Sequence, residues 1–258
     1  MKKSDLIKTF SDSISERFDL NKYEYSFRHH HSINVAKKAH YIASLEGKDN
    51  TTKYLSFVAG LLHDYGRFYQ WEKYETFLDH KSECHSDMGL KKIFEENEVE
   101  KYKIPKKFFP EIKKAIWHHN KLDITNTEKM SELELFLCKV VRDADKWDLF
   151  QLMLTKDFPE LSDEKGITPE VWKAIMKKRC VYTEDAKSKI DFKLAELSII
   201  FDLNFKAPKK WINDTFFLEK YYKKNKGLFE PKENISLLIA INKIRTALNE
   251  PTIFKRKR

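Results

Sequence analysis

Residues 55–67 read LSFVAGLLHDYGR, an uninterrupted run of apolar and small side chains from Leu55 to Leu62 followed by two polar neighbours, His63 and Asp64. A helix that is apolar on every side belongs in a protein interior. Adjacent residues on a helix point about 100° apart, so His63 and Asp64 can grip an ion lying between their directions but cannot both face one core. A buried helix that ends in such a pair opens onto a cleft. Upstream, Asp49, Asn50 and Thr51 offer N-caps for this helix. Before them Val35, Ala39, Ile42 and Leu45 recur at helical intervals and end at Gly47, a natural C-terminal stop, which places His31 in the first turn of its own helix.

The same periodicity continues outward. A helix is expected from His85 through Met88, Ile93 and Phe94. Another begins with Pro110 in its first turn and runs through Ile112 and Ile116 to His118 and His119. Leu133, Phe136, Leu137, Val140 and Val141 form the apolar stripe of a helix that carries Asp145. Thr168 and Pro169 cap a further helix, and two more are marked by Ile190, Leu194, Leu197 and Phe201 and by Leu237, Ile241, Ile244 and Leu248. With 6 glycines and 7 prolines in 258 residues, the composition suits helices rather than a many-stranded sheet. The expected class is all-α. The stretch from Lys156 to Thr168, with Pro159, Asp163 and Gly166, reads as a linker, dividing residues 1–155, which hold the chemistry, from a helical C-terminal extension at 156–258.

Three distant cysteines, Cys84, Cys138 and Cys180, provide neither a disulfide framework nor a zinc signature, which points to a reducing, cytoplasmic setting. The N-terminus lacks the apolar stretch of a signal peptide, and nothing approaches the ~20 apolar residues of a membrane span. The net charge of +9 is concentrated in Lys206 to Lys226 and in Lys255-Arg256-Lys257-Arg258. Such segments attract phosphate or nucleic acid, but a solvated helix face and a charged tail are the commoner use, and no aromatic-interleaved recognition motif accompanies them.

The chemistry lies in an ordered series: His31 in HSINVA, His63-Asp64, His85 in HSDMG, His118-His119 in AIWHHNK and Asp145 in RDADKWD. Imidazole and carboxylate are the mixed donors that divalent first-row metals prefer. From about Phe27 to Phe150 these pieces resemble the HD superfamily of metal-dependent phosphohydrolases. The resemblance implies a helical bundle in which His31, His63, Asp64 and Asp145 surround one metal, with Asp145 favoured over Asp143 because it directly precedes the basic Lys146. It implies a second set of His85, His118 and His119 with Asp64 bridging. The His-His pair is similar to that of enzymes acting on cyclic dinucleotides, but their GYP motif is absent.

By the same resemblance, one or two divalent ions (Mn, Fe, Co or Ni) are expected to activate water against a small, nucleotide-like phosphorylated substrate, with Asp64 in the catalytic machinery. Arg67 would meet phosphate oxygens bidentately and Lys146 as a point charge. Duller readings compete: His29, His30 and His40 lack motif partners, His80 stands five residues before His85 without a motif of its own, Cys84 is a free thiol, and Phe68, Tyr69, Trp71 and Tyr74 are as suited to a core as to a base-stacking pocket. Two other functions stay open. HD-fold proteins similar to myo-inositol oxygenase hold two irons on nearly the same donors, and a non-catalytic nucleotide- or nucleic-acid-binding module would use the basic C-terminal segments.

Overall fold

The computed structural model describes residues 2–155 and 164–249, and among these the regular secondary structure is entirely helical, with no strand. The all-α expectation holds. The chain divides into two compact units, Met1–Asp148 and Leu149–Arg258, whereas the linker-based boundary falls at 155/156. Of that linker, residues 156–163 lie outside the described residues, as does the basic tail from Lys255 to Arg258.

The first unit holds α1 (Lys3–Ser15), α2 (Tyr23–Leu45), α3 (Asn50–Leu62), α4 (Tyr65–Tyr74), α5 (His85–Leu90), α6 (Phe109–His118) and most of α7 (Glu132–Thr155). Helix α2 starts well upstream of the point its apolar spacing suggests, so His31 sits inside the helix rather than in its first turn. The extra turns carry YEYSFRHH, which has no apolar period, yet Tyr25 is buried there against Phe18 and Phe68, with ring centroids 5.1 and 6.4 Å away. Packing of an aromatic from elsewhere in the chain overrides the missing local signal. At the other end Gly47, at φ +65°, donates to Ser44 and Lys48 donates to Ala43, the expected left-handed stop. Asp49 caps α3 by accepting from the Thr52 amide at 2.6 Å.

Two glycines set how closely these helices approach. A Cβ on Gly60 would lie 3.0 Å from the Ala36 Cα, so α2 and α3 meet backbone to backbone. A Cβ on Gly66 would lie 2.0 Å from the His85 carbonyl oxygen, so α4 and α5 do the same. Both contacts bring a histidine-bearing helix against the chain around His63-Asp64. Phe68 is fully buried beside Phe10 and Phe18, which makes it core.

The second unit contains the end of α7, α8 (Pro169–Met176), α9 (Lys189–Ser198), α10 (Lys206–Asp214), α11 (Phe217–Asn225) and α12 (Pro231–Asn249). Thr168 precedes α8 at the N-cap position, and Ser188 with Asp191 forms a capping box at α9. Ile190, Leu194 and Leu197 of α9 and Leu237, Ile241, Ile244 and Leu248 of α12 share one apolar cluster with Phe150, Phe217 and Tyr221. Among the described residues no helix is long and apolar enough to cross a membrane.

Candidate metal centre

The junction between α3 and α4 resolves the difficulty of two adjacent polar residues. His63 still has helical angles, whereas Asp64 turns to φ −103°, ψ 16°, out of the helix and into the sparsely populated bridge region. This break lets both side chains turn toward the same place. His31 arrives from α2, His85 from the first position of α5, His119 from just beyond α6 and Asp145 from α7.

The ligand atoms of His31, His63 and Asp145 all lie within 4.8 Å of one another, and so do those of His63, Asp64 and His119. The two carboxylate oxygens of Asp64 divide the cluster. Oδ2 is 3.8 Å from the Nε2 atoms of both His31 and His63. Oδ1 is 3.3 Å from Nε2 of His85 and 3.5 Å from Nε2 of His119. Asp145 joins the first group, with Oδ1 3.1 Å from His31 and 3.8 Å from His63. Asp64 thus stands between two donor sets, one of four residues and one of three.

Every imidazole in the cluster has its other nitrogen occupied. Nδ1 of His63 lies 2.8 Å from the Gly60 carbonyl and that of His119 2.5 Å from the Ile116 carbonyl. Nδ1 of His31 lies 2.7 Å from Asp148, and that of His85 2.8 Å from Asp79. In His63, His85 and His119 the acceptor at Nδ1 places the proton there and leaves the Nε2 lone pair facing inward. Nε2 of His85 and Nε2 of His119 then confront each other at 2.9 Å. Two lone pairs at that distance repel unless a cation lies between or beside them, so the donor set fits a divalent ion.

Electrostatics hold His63, His85, Asp64 and Asp145 in ligating form, whereas His31 keeps a proton that an ion would have to displace. Burial pushes His63 down to about 4, and burial together with Arg67 pushes His85 down to about 3, so both rings are neutral at pH 7. Burial opposes charge on His31 as well, but hydrogen bonds to Asp145 and Asp148 outweigh it and raise this ring to about 9. Burial also opposes ionisation of Asp64, yet His63, His119, Arg28 and Arg67 hold it well below the usual carboxylate range. Asp145 is held low in the same manner, chiefly by His31 and His63 against its own desolvation.

His118 is buried on the C-terminal turn of α6 but not brought to the cluster. Its ring packs edge-on against Trp117, its charged form is disfavoured by burial and by Arg142, Lys114 and Lys121, and its Nδ1 has no hydrogen-bond partner among the described residues. Arg142 fixes this end of α6 by donating to the carbonyls of His118, Lys121 and Leu122. Of Asp143 and Asp145 in RDADKWD it is Asp145 whose carboxylate reaches the donors; Asp143 is fully buried. Arg67 has NH1 on Gln70, the Phe77 carbonyl and Asp79, and Nε 3.7 Å from Asp64. Lys146 is buried with Nζ 3.5 Å from the Arg142 carbonyl.

Sequence reasoning passed over four residues. Arg28 donates to Asp64 Oδ2 at 3.0 Å and lies over the Phe77 ring at 4.3 Å; its signal is a position one helical turn before His31. Asp148 lies one turn after Asp145 and is joined at 2.6 Å by Lys38, two turns after His31. Asp79 had no signal beyond its neighbour His80, which is itself exposed.

Comparison with protein-family models finds the HD domain over residues 28–150. No curated protein and no solved structure matches the chain.

Proposed function

From the HD domain that the chain carries over residues 28–150, a domain of the metal-dependent phosphohydrolase superfamily, we propose that the protein hydrolyses phosphate esters of nucleotides or related small phosphorylated metabolites. The observation that carries this reading is the division of Asp64 between two histidine sets with two guanidinium groups alongside. His31, His63, Asp64 and Asp145 would hold one divalent ion, and Asp64, His85 and His119 a second. Mn, Fe, Co and Ni all suit mixed imidazole and carboxylate donors. Such ions lower the pKa of water to ~7 and polarise phosphoryl oxygens.

The chain's own contribution is binding and charge. Among the described residues, Nε of Arg28 and Nε of Arg67 are buried without a hydrogen-bond partner. A buried donor left unpaired is costly, and an anionic oxygen entering beside Asp64 would satisfy it. The side chains of Arg28, Arg67 and Asp145 are 16%, 15% and 17% exposed, against 5% or less for Asp64 and the four histidines, so substrate would enter on their side. Lys146 would add a point charge from α7.

The test is phosphate release from nucleotides, cyclic nucleotides and sugar phosphates by manganese-loaded protein, with Asp64→Ala beside it. Turnover that vanishes in the variant supports the reading. Silence in the wild type with metal bound rejects it for those substrates, and substrate-dependent oxygen uptake by the iron-loaded protein would move the assignment to the di-iron oxygenases.

A further inference from the structure

The two donor sets are built on one plan. Each has one histidine whose Nδ1 is held by the backbone of its own helix, His63 on Gly60 and His119 on Ile116. Each has a second whose Nδ1 meets a carboxylate from a distant part of the chain, His31 on Asp148 and His85 on Asp79. A helical carbonyl three residues back comes with the fold. A carboxylate must be brought there and its charge balanced, and both are: Asp148 by Lys38 at 2.6 Å, Asp79 by Arg67 at 3.0 Å. Asp79 also accepts from Gln70 at 2.9 Å and from Asn120 at 3.2 Å, so one short turn, Asp79–Lys81, is tied to α4, to the start of α5 and to the segment after α6.

We infer that Asp148 and Asp79 are positioning residues, each assigned to one centre: Asp148 aims His31 at the four-donor set, and Asp79 aims His85 at the three-donor set. Neither touches the ion. Each fixes the ring's tautomer and orientation and makes its Nε2 a stronger donor, an effect worth about 10- to 100-fold in metal affinity where such partners are removed. The Lys38 and Arg67 counter-charges differ in consequence. Lys38 pairs with Asp148, whereas Arg67 borders both Asp79 and Asp64, so the three-donor centre shares its balancing cation with the substrate side. With one donor fewer and that cation shared, the centre supported by Asp79 is the weaker of the two.

This inference rests on the two-ion reading of the site, and manganese titration of the full chain followed by calorimetry separates the two claims. The wild type is expected to take up two ions with unequal affinity. Asp79→Ala should weaken the second binding step by about 10- to 100-fold and leave the first near the wild-type value, whereas Asp148→Ala should weaken the first. Asp79→Asn and Asp148→Asn, which keep an acceptor oxygen for Nδ1, should fall between each alanine variant and the wild type. Because Asp148 is buried, Lys38→Met provides a second handle on the same pair and should weaken only the first step. Two ions bound with unchanged affinities by both alanine variants would overturn the inference while leaving the metal centre standing, as would loss of both steps together in folded Asp79→Ala. A wild type that binds no metal would overturn both.

Discussion

At the scale of single residues, donors and charge contacts should separate cleanly. Asp145 offers an oxygen within reach of both His31 and His63, and these contacts are with other candidate donors. Asp145→Ala is therefore expected to remain folded and lose the tighter metal, read by metal analysis after gel filtration. Arg28→Ala and Arg67→Ala should retain the tighter metal but lose turnover by about 100-fold each, the usual effect of removing one donor to a developing anion; wild-type rates in either would remove that residue from the mechanism. Away from the centre, Glu98 accepts from Ser13 at 2.9 Å and pairs with Lys101. Although burial opposes its charge, those contacts hold its carboxyl below the usual range. A depressed carboxylate stabilises the fold above its unfolded value, and that contribution is lost as pH falls through the lower folded value. In chelator, Glu98→Gln should cost about 1 kcal/mol near pH 7 and less toward pH 3, measured by denaturant unfolding. An equal loss at both pH values would show that the charge is not what matters.

At the scale of elements, the close crossing of α4 and α5 is the most exposed to test. A Cβ on Gly66 meets backbone atoms of His85 and Gly89, which cannot swing aside as a flexible side chain would. Gly66→Ala should cost about 2 kcal/mol or more and displace His85, seen as a lower melting temperature together with loss of the weaker metal. Gly227, where an added Cβ meets nothing within 4 Å, is the control, and Gly227→Ala should leave the melting temperature within a degree or two. Equal effects would mean that α4 and α5 adjust without strain.

At the scale of the whole molecule, the candidate metal donors all belong to the first unit, and the second unit has its own apolar cluster. An ion that binds only the folded form should stabilise the first unit by about 2.7 kcal/mol at one hundred times its dissociation constant. Leu194→Ala removes a fully buried side chain from the second cluster and should cost about 3 kcal/mol of that unit's stability. Metal affinity in this variant should be that of the wild type. A parallel loss of metal would show that the second unit's packing is transmitted to the donors.

What the sequence alone determined is what depends on near neighbours. Apolar residues at helical intervals gave the all-α class, and turn and capping residues gave the glycine stop after α2, the caps of α3 and α8, and the end of a buried helix at His63-Asp64. Residue type and order gave the candidate donors, His118 among them. The start of α2 was misplaced because its first turns are held by Tyr25 packing on Phe68, far along the chain. Tertiary structure alone decided which ring of the His118-His119 pair faces Asp64, since both sit at the same helix end and only the α6 orientation separates them. It also decided that Arg28, Asp79 and Asp148 surround the donors. An imidazole's tautomer is set by the atom opposite its Nδ1, and for His31 that atom lies 117 positions away, beyond any local period of the chain.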